Sequence, residues 1–183
     1  MKKILSIDGG GIRGLIPGQV LVALEKKLQA KAGNPEARLA EYFDFFAGTS
    51  TGGILCCLLL CPDPKHPGKT KYSAEDAVDL YREYGDDIFS LTFWSRLFNK
   101  QPVFNSKYSA KALEEILKKY FAKVRLSELV KPCLLTAYDI QDRKTHFFAQ
   151  HDFRKKGDGG DFYVRDVCRA TSAAPTYFQA ALV

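Results

Sequence analysis

The stretch FFAGTSTGGIL, Phe45 to Leu55, leaves an apolar run through glycines and threonines and re-enters an apolar run. Its centre, Gly48-Thr49-Ser50-Thr51-Gly52, spells G-x-S-x-G. The run before it, Tyr42 to Ala47, reads as a strand, and the run after it, Ile54 to Leu60, reads as a helix. In that context the pattern forms a nucleophile elbow, a strained turn that holds the serine at a strand tip. Gly48 and Gly52 carry no Cβ to clash where strand and helix backbones nearly touch. The helix that follows brings its positive end near Ser50, which favours an alkoxide or oxyanion there. Ser50 is therefore the candidate nucleophile.

Strand, tight turn and helix occur once before, in KILSIDGGGIRGLIPG, Lys3 to Gly18. Lys3 to Ile7 reads as a strand ending at Asp8. Ile16 to Ala32 reads as a helix with Val20, Leu21, Leu24 and Leu28 at helical spacing, stopped by Gly33, Asn34 and Pro35. Gly9-x-Gly11-x-x-Gly14 also satisfies the dinucleotide fingerprint. That reading needs an acidic residue closing a second strand about 20 residues on, but Glu25 falls inside the predicted helix. Acyl transfer offers the other use. Sites in open α/β sheets gather at strand ends, so the two glycine turns face one crevice, one with a nucleophile and one with bare N–H groups. Gly9, Gly10 and Gly11 can donate to a developing oxyanion, each such donor being worth ~3 kcal/mol of barrier.

Farther along, Ser73 reads as an N-cap, with Asp76 three residues on, for a helix running toward Tyr84. Ser109 to Phe121 reads as a helix, Cys133 to Ala137 as a buried strand, His146 to Ala149 as its partner and Val164 to Ala170 as a helix. Strands alternating with helices imply an α/β fold with a mainly parallel sheet, expected to form a single domain over residues 1–183. The aromatic stretch IFSLTFWSRLFNKQPVF, Ile88 to Phe104, follows neither period. It reads as a long connection packing its rings on the core or as an interfacial lid.

A hydrophobic content of 46% with 26% charged residues fits a soluble globular chain. Only Ile4 to Ile7 separate Lys3 from Asp8, too few for a secretory h-region, and the apolar run Ile54 to Cys61 is too short to span a bilayer. Five cysteines, an odd number among apolar neighbours and without a C-x-x-C pair, argue against a disulfide framework and a zinc site. A cytoplasmic setting without metal or cofactor is expected. The net charge of +6 is scattered, which gives no nucleic-acid footprint but suits contact with anionic headgroups.

DGGGIRG (Asp8 to Gly14), GTSTGG (Gly48 to Gly53) and ATSAAPTYF (Ala170 to Phe178), in this order and spacing, resemble the patatin-like phospholipase family. The resemblance covers nearly the whole chain. It implies a three-layer α/β/α sandwich and a lipid acyl hydrolase working through a Ser-Asp dyad without metal. By position it makes Ser50 the nucleophile, lines the oxyanion hole with Gly9, Gly10 and Gly11, and has Arg13 steady that loop. It also implies phospholipid or another lipid ester as substrate, with peripheral contact at membranes. The family's aspartate lies in a D-G-G or D-G-A motif soon after A-A-P-T-Y-F, whereas five residues follow Phe178 here. The chain is thus expected to be the N-terminal part of a catalytic domain, with its acid beyond Val183. Asp158-Gly159-Gly160 precedes the segment and reads first as a solvated turn.

His146 or His151 would be the base if Ser50 belonged to a Ser-His-Asp triad, while His66 sits in a proline-flanked turn. Asp8 reads as structural, holding Arg13 or capping the turn, because a carboxylate beside a developing oxyanion opposes catalysis. Asp139 and Asp142 stand near a turn without an evident partner. A catalytically incompetent module of the same fold, binding lipid or a partner, is the alternative function.

Overall fold

A computed structural model of the chain describes residues 1–89, 106–152, 160–174 and 178–183. One four-stranded sheet holds β1 (Ile4–Ile7), β2 (Phe45–Thr49), β3 (Cys133–Asp139) and β4 (Lys144–Ala149), side by side in that order. β1 with β2 and β2 with β3 pair in parallel, and β3 with β4 forms an antiparallel hairpin. The helices are α1 (Leu15–Ala32), α2 (Thr51–Leu60), α3 (Ala74–Phe89), α4 (Ser106–Phe121) and α5 (Val164–Thr171). This is the α/β class with a mainly parallel sheet that the alternation of elements predicts.

Spatial order equals chain order from β1 to β3, so both crossovers step the same way across the sheet. Right-handed crossovers then place α1 and the α2, α3, α4 series on one face. Burial follows that geometry: Ile7, Phe46, Cys133, Leu135 and Phe148 point into the helices and are buried. On the other face Ile4, Tyr138 and Phe147 are 65%, 62% and 51% exposed. The resemblance implies a second helix layer over that face; the described helices gather on the first.

α2 is apolar and buried from Thr51 to Leu60, the one helix wrapped on every side among the described residues. α3 and α4 are amphipathic and turn Val78, Leu80 and Tyr81, and Leu113, Leu117 and Phe121, into the same core. Ser73 caps α3 as expected: Asp76 N–H donates to Ser73 Oγ at 3.1 Å, and Ser73 N–H to Asp76 Oδ2 at 2.8 Å. Two expectations shift. β2 starts at Phe45 rather than Tyr42, because Tyr42 closes the short turn Leu39–Glu41 by donating to Leu39 O at 3.0 Å. In α1, Val20 is 63% exposed, while Gly18, Leu21, Val22 and Glu25 face inward. Gly18 brings the helix so close to α3 that a Cβ there would lie 2.7 Å from Val78 Cγ2.

The buried Glu25 accepts the N–H of Leu39 at 3.1 Å and of Ala74 at 2.8 Å, joining α1 to the turn before β2 and to the start of α3. Its place inside α1 removes the acidic strand end that the dinucleotide reading requires. All five cysteines are free and buried, and burial pushes the Cys61 thiol up to about 11. Among the described residues no helix is long and apolar enough to cross a membrane. Residues 90–104 of the aromatic stretch and Asp158 lie outside the described residues.

Candidate active site

Ser50 links β2 directly to α2 and adopts φ 54°, ψ −127°. Such a conformation costs a non-glycine residue ~1–3 kcal/mol and persists only where its surroundings over-determine it. Its N–H donates to Thr171 Oγ1 of α5 at 2.8 Å, and its carbonyl accepts Ile54 N–H at 3.1 Å. A Cβ on Gly48 would lie 2.7 Å from Gly52 O and from Gly53 Cα, so this glycine lets α2 fold back against its own strand. Gly52 serves a different contact. A Cβ there would strike the carbonyl oxygen of Ile7 and lie 2.7 Å from that of Asp8, so the missing side chain lets α2 abut the tip of β1.

That abutment brings the first glycine turn to the serine. A Cβ on Gly9 would lie 2.5 Å from Thr49 O and 2.7 Å from Ser50 Cβ. Gly10, at φ 157°, donates its N–H to Thr51 Oγ1 at 3.1 Å. Arg13 closes the turn twice, its N–H donating to Gly10 O at 3.2 Å and its Nε at 3.4 Å. Gly11, at φ 60°, opens the short helix Gly11–Gly14 that leads into α1. The first turn of α2 is pinned from below, where the buried Tyr81 hydroxyl donates to Thr51 O at 2.7 Å. Ser50, Gly9, Gly10, Gly11 and Arg13 thus form one cluster at the ends of β1 and β2, with Gly48 and Gly52 as the points of closest approach.

The histidines are placed elsewhere. His66 pairs with Asp63 at 2.6 Å, His146 on β4 packs edge-on against Phe148 at 4.5 Å, and His151 stands 3.7 Å from Asp152. Among the described residues no imidazole or carboxylate hydrogen-bonds the Ser50 hydroxyl. Asp8 is exposed, and Arg13 turns to the Gly10 carbonyl. Asp139 accepts the N–H groups of Gln141 and Asp142 at 2.9 and 3.0 Å, and Asp142 pairs with Lys144, so both carboxylates build the β3–β4 hairpin. Thr51, Tyr81 and Thr171 escape the sequence reading. Thr51 occupies a free position of G-x-S-x-G, and Thr171 lies within ATSAAPTYF without a role of its own.

A serine on a strained turn between a parallel strand and a buried helix, with a second glycine turn against it, gives this α/β protein the backbone geometry of a nucleophile elbow. The profile of the family described as patatin-like phospholipase matches residues 5–183, and this chain belongs to that family. Patatin-like protein 1 of Arabidopsis thaliana is 40% identical over 178 residues, covering 96% of this chain and 42% of that protein. Patatin-05 of Solanum tuberosum is 35% identical over 178 residues, covering 97% of this chain and 43% of that protein. The chain thus spans less than half the length of these curated relatives.

Proposed function

We propose that this chain carries the nucleophile and oxyanion loop of a lipid acyl hydrolase that cleaves fatty acyl esters of glycerophospholipids. Ser50 Oγ attacks the ester carbonyl carbon while an aspartate takes its proton. The negative oxygen of the tetrahedral intermediate is met by N–H groups of the Gly9–Gly11 turn, which Arg13 steadies. Collapse expels the alcohol, which receives the proton. Water, deprotonated by the same carboxylate, then releases the fatty acid from Ser50. No metal or cofactor enters the scheme. The basic surface suits peripheral contact with anionic headgroups, and five free buried thiols suit a reducing cytoplasm.

The observation that carries the reading is the contact between the two turns, with Gly9 packed against Thr49 O and Ser50 Cβ. The test is labelling with a fluorophosphonate, wild type against Ser50→Ala, read by intact mass. One phosphonyl adduct that disappears in Ser50→Ala is the expected result. A folded wild type without adduct would favour the binding module, a reading supported by the absence of a carboxylate on Ser50 Oγ among the described residues.

A further inference from the structure

The Ser50 amide lies just past the parallel ladder, whose last β2–β3 pair is Thr49 with Thr136, and just before the first turn of α2. Neither sheet nor helix supplies it with an acceptor. The acceptor comes from 121 residues away, as the hydroxyl of Thr171 at the C-terminal end of α5, only 8% exposed. We propose that Thr171 is a positioning residue for Ser50, its hydroxyl holding the elbow in the conformation that presents the serine side chain. The proposal rests on the reading of Ser50 as nucleophile.

Both branches of the threonine are in use. A Cβ on Gly53 would lie 3.2 Å from Thr171 Cγ2, so the methyl group stands against the first turn of α2 where that helix has no side chain. With the methyl lodged there, the stiff β-branched side chain has its hydroxyl aimed at the Ser50 amide. The bond to that amide fixes the Thr49–Ser50 peptide plane, and hence the direction in which a residue at φ 54° projects its Oγ. The base of Thr171 is itself anchored. Arg169, two residues earlier, donates to Glu114 of α4 at 3.1 Å and to Gln179 O at 2.8 Å, and Val167 and Cys168 are buried. With its own N–H occupied by Thr171, Ser50 contributes none to the oxyanion.

Two substitutions separate the branches. Thr171→Val keeps the shape and the methyl but removes the acceptor, whereas Thr171→Ser keeps the acceptor and removes the methyl. Two measurements are made on each: hydrogen exchange at the Ser50 amide by NMR, and the second-order rate of fluorophosphonate labelling, with melting temperature as control. Thr171→Val is expected to speed exchange at Ser50 about tenfold. It should slow labelling roughly tenfold to a hundredfold, the scale of a misplaced reacting group. Thr171→Ser should stay near wild type in both, even where its melting temperature falls. Equal exchange and labelling in wild type and Thr171→Val would overturn the proposal, as would a wild-type Ser50 amide exchanging like an open loop, a readout that stands if the valine variant does not fold. A protected Ser50 amide in a folded chain that never labels would instead mean that no base reaches Ser50 in this chain, which counts against the proposed activity and not against the Thr171 bond.

Discussion

A methyl group added at Gly52 would meet the carbonyl oxygens of Ile7 and Asp8, both backbone atoms of the neighbouring strand. Neither can yield unless β1 moves, so Gly52→Ala is expected to destabilise the chain by about 3 kcal/mol. Gly68 is the control. It has φ 80° but nothing within 4 Å of the added Cβ, so Gly68→Ala should cost roughly 1 kcal/mol of backbone strain alone. Urea denaturation compares the two, and equal midpoints would show that α2 does not press on β1. At this scale the sequence is legible where a residue type is forced by its own backbone. G-x-S-x-G marks Gly48 and Gly52 because a side chain at either would strike backbone, and it frames Ser50, which holds a positive φ that its own backbone does not favour. It says nothing of Thr171, whose partner is a main-chain amide 121 residues away and leaves no pattern in either segment.

At the scale of elements, periodicity finds each described helix and puts Leu21, Leu24 and Leu28 of α1 on the core side, but it misplaces Val20 and misses Glu25, because a carboxylate does not read as a core position. Glu25 is 4% exposed, and burial raises its pKa above the usual carboxylate value, outweighing the two N–H bonds that lower it. A group whose folded pKa is raised adds stability that is complete below the unfolded pKa and is lost as pH rises through the folded value. The wild type should therefore lose stability relative to Glu25→Gln between acidic and neutral pH, since glutamine does not titrate. Urea unfolding of the pair from pH 4 to pH 7 measures that difference, and a difference flat across the range would show that the carboxylate is not desolvated. α2 gives a second handle. Cys56 and Cys57 lie on it, Cys61 follows its last turn, and Cys133 and Cys168 are buried beside it in the same core. A thiol-specific reagent should find no reactive cysteine in the native chain and five after denaturation, and a rapidly reacting native thiol would mean that this core opens.

For the whole molecule, the sheet's two faces have different environments, and neighbouring phenylalanines on β4 report on each. Phe148 is 6% exposed and meets Phe162 edge-on at 5.1 Å, under the helices. Phe147, one residue earlier, is 51% exposed on the opposite face with Ile4 and Tyr138. Composition cannot reveal this, since Phe45 and Phe46 or Phe147 and Phe148 are equally apolar and only the direction of the crossovers decides which of each pair meets a helix. Parallel sheets are ordinarily covered on both faces. Phe148→Ala is expected to cost about 3–5 kcal/mol by opening a cavity in the core. Phe147→Ala should change stability by no more than about 0.5 kcal/mol, because its ring already stands in water. Should Phe147→Ala cost as much as Phe148→Ala, that face is covered in solution. Sedimentation of this chain would then separate a dimer, in which two copies meet through Ile4, Tyr138 and Phe147, from a monomer that covers the face itself.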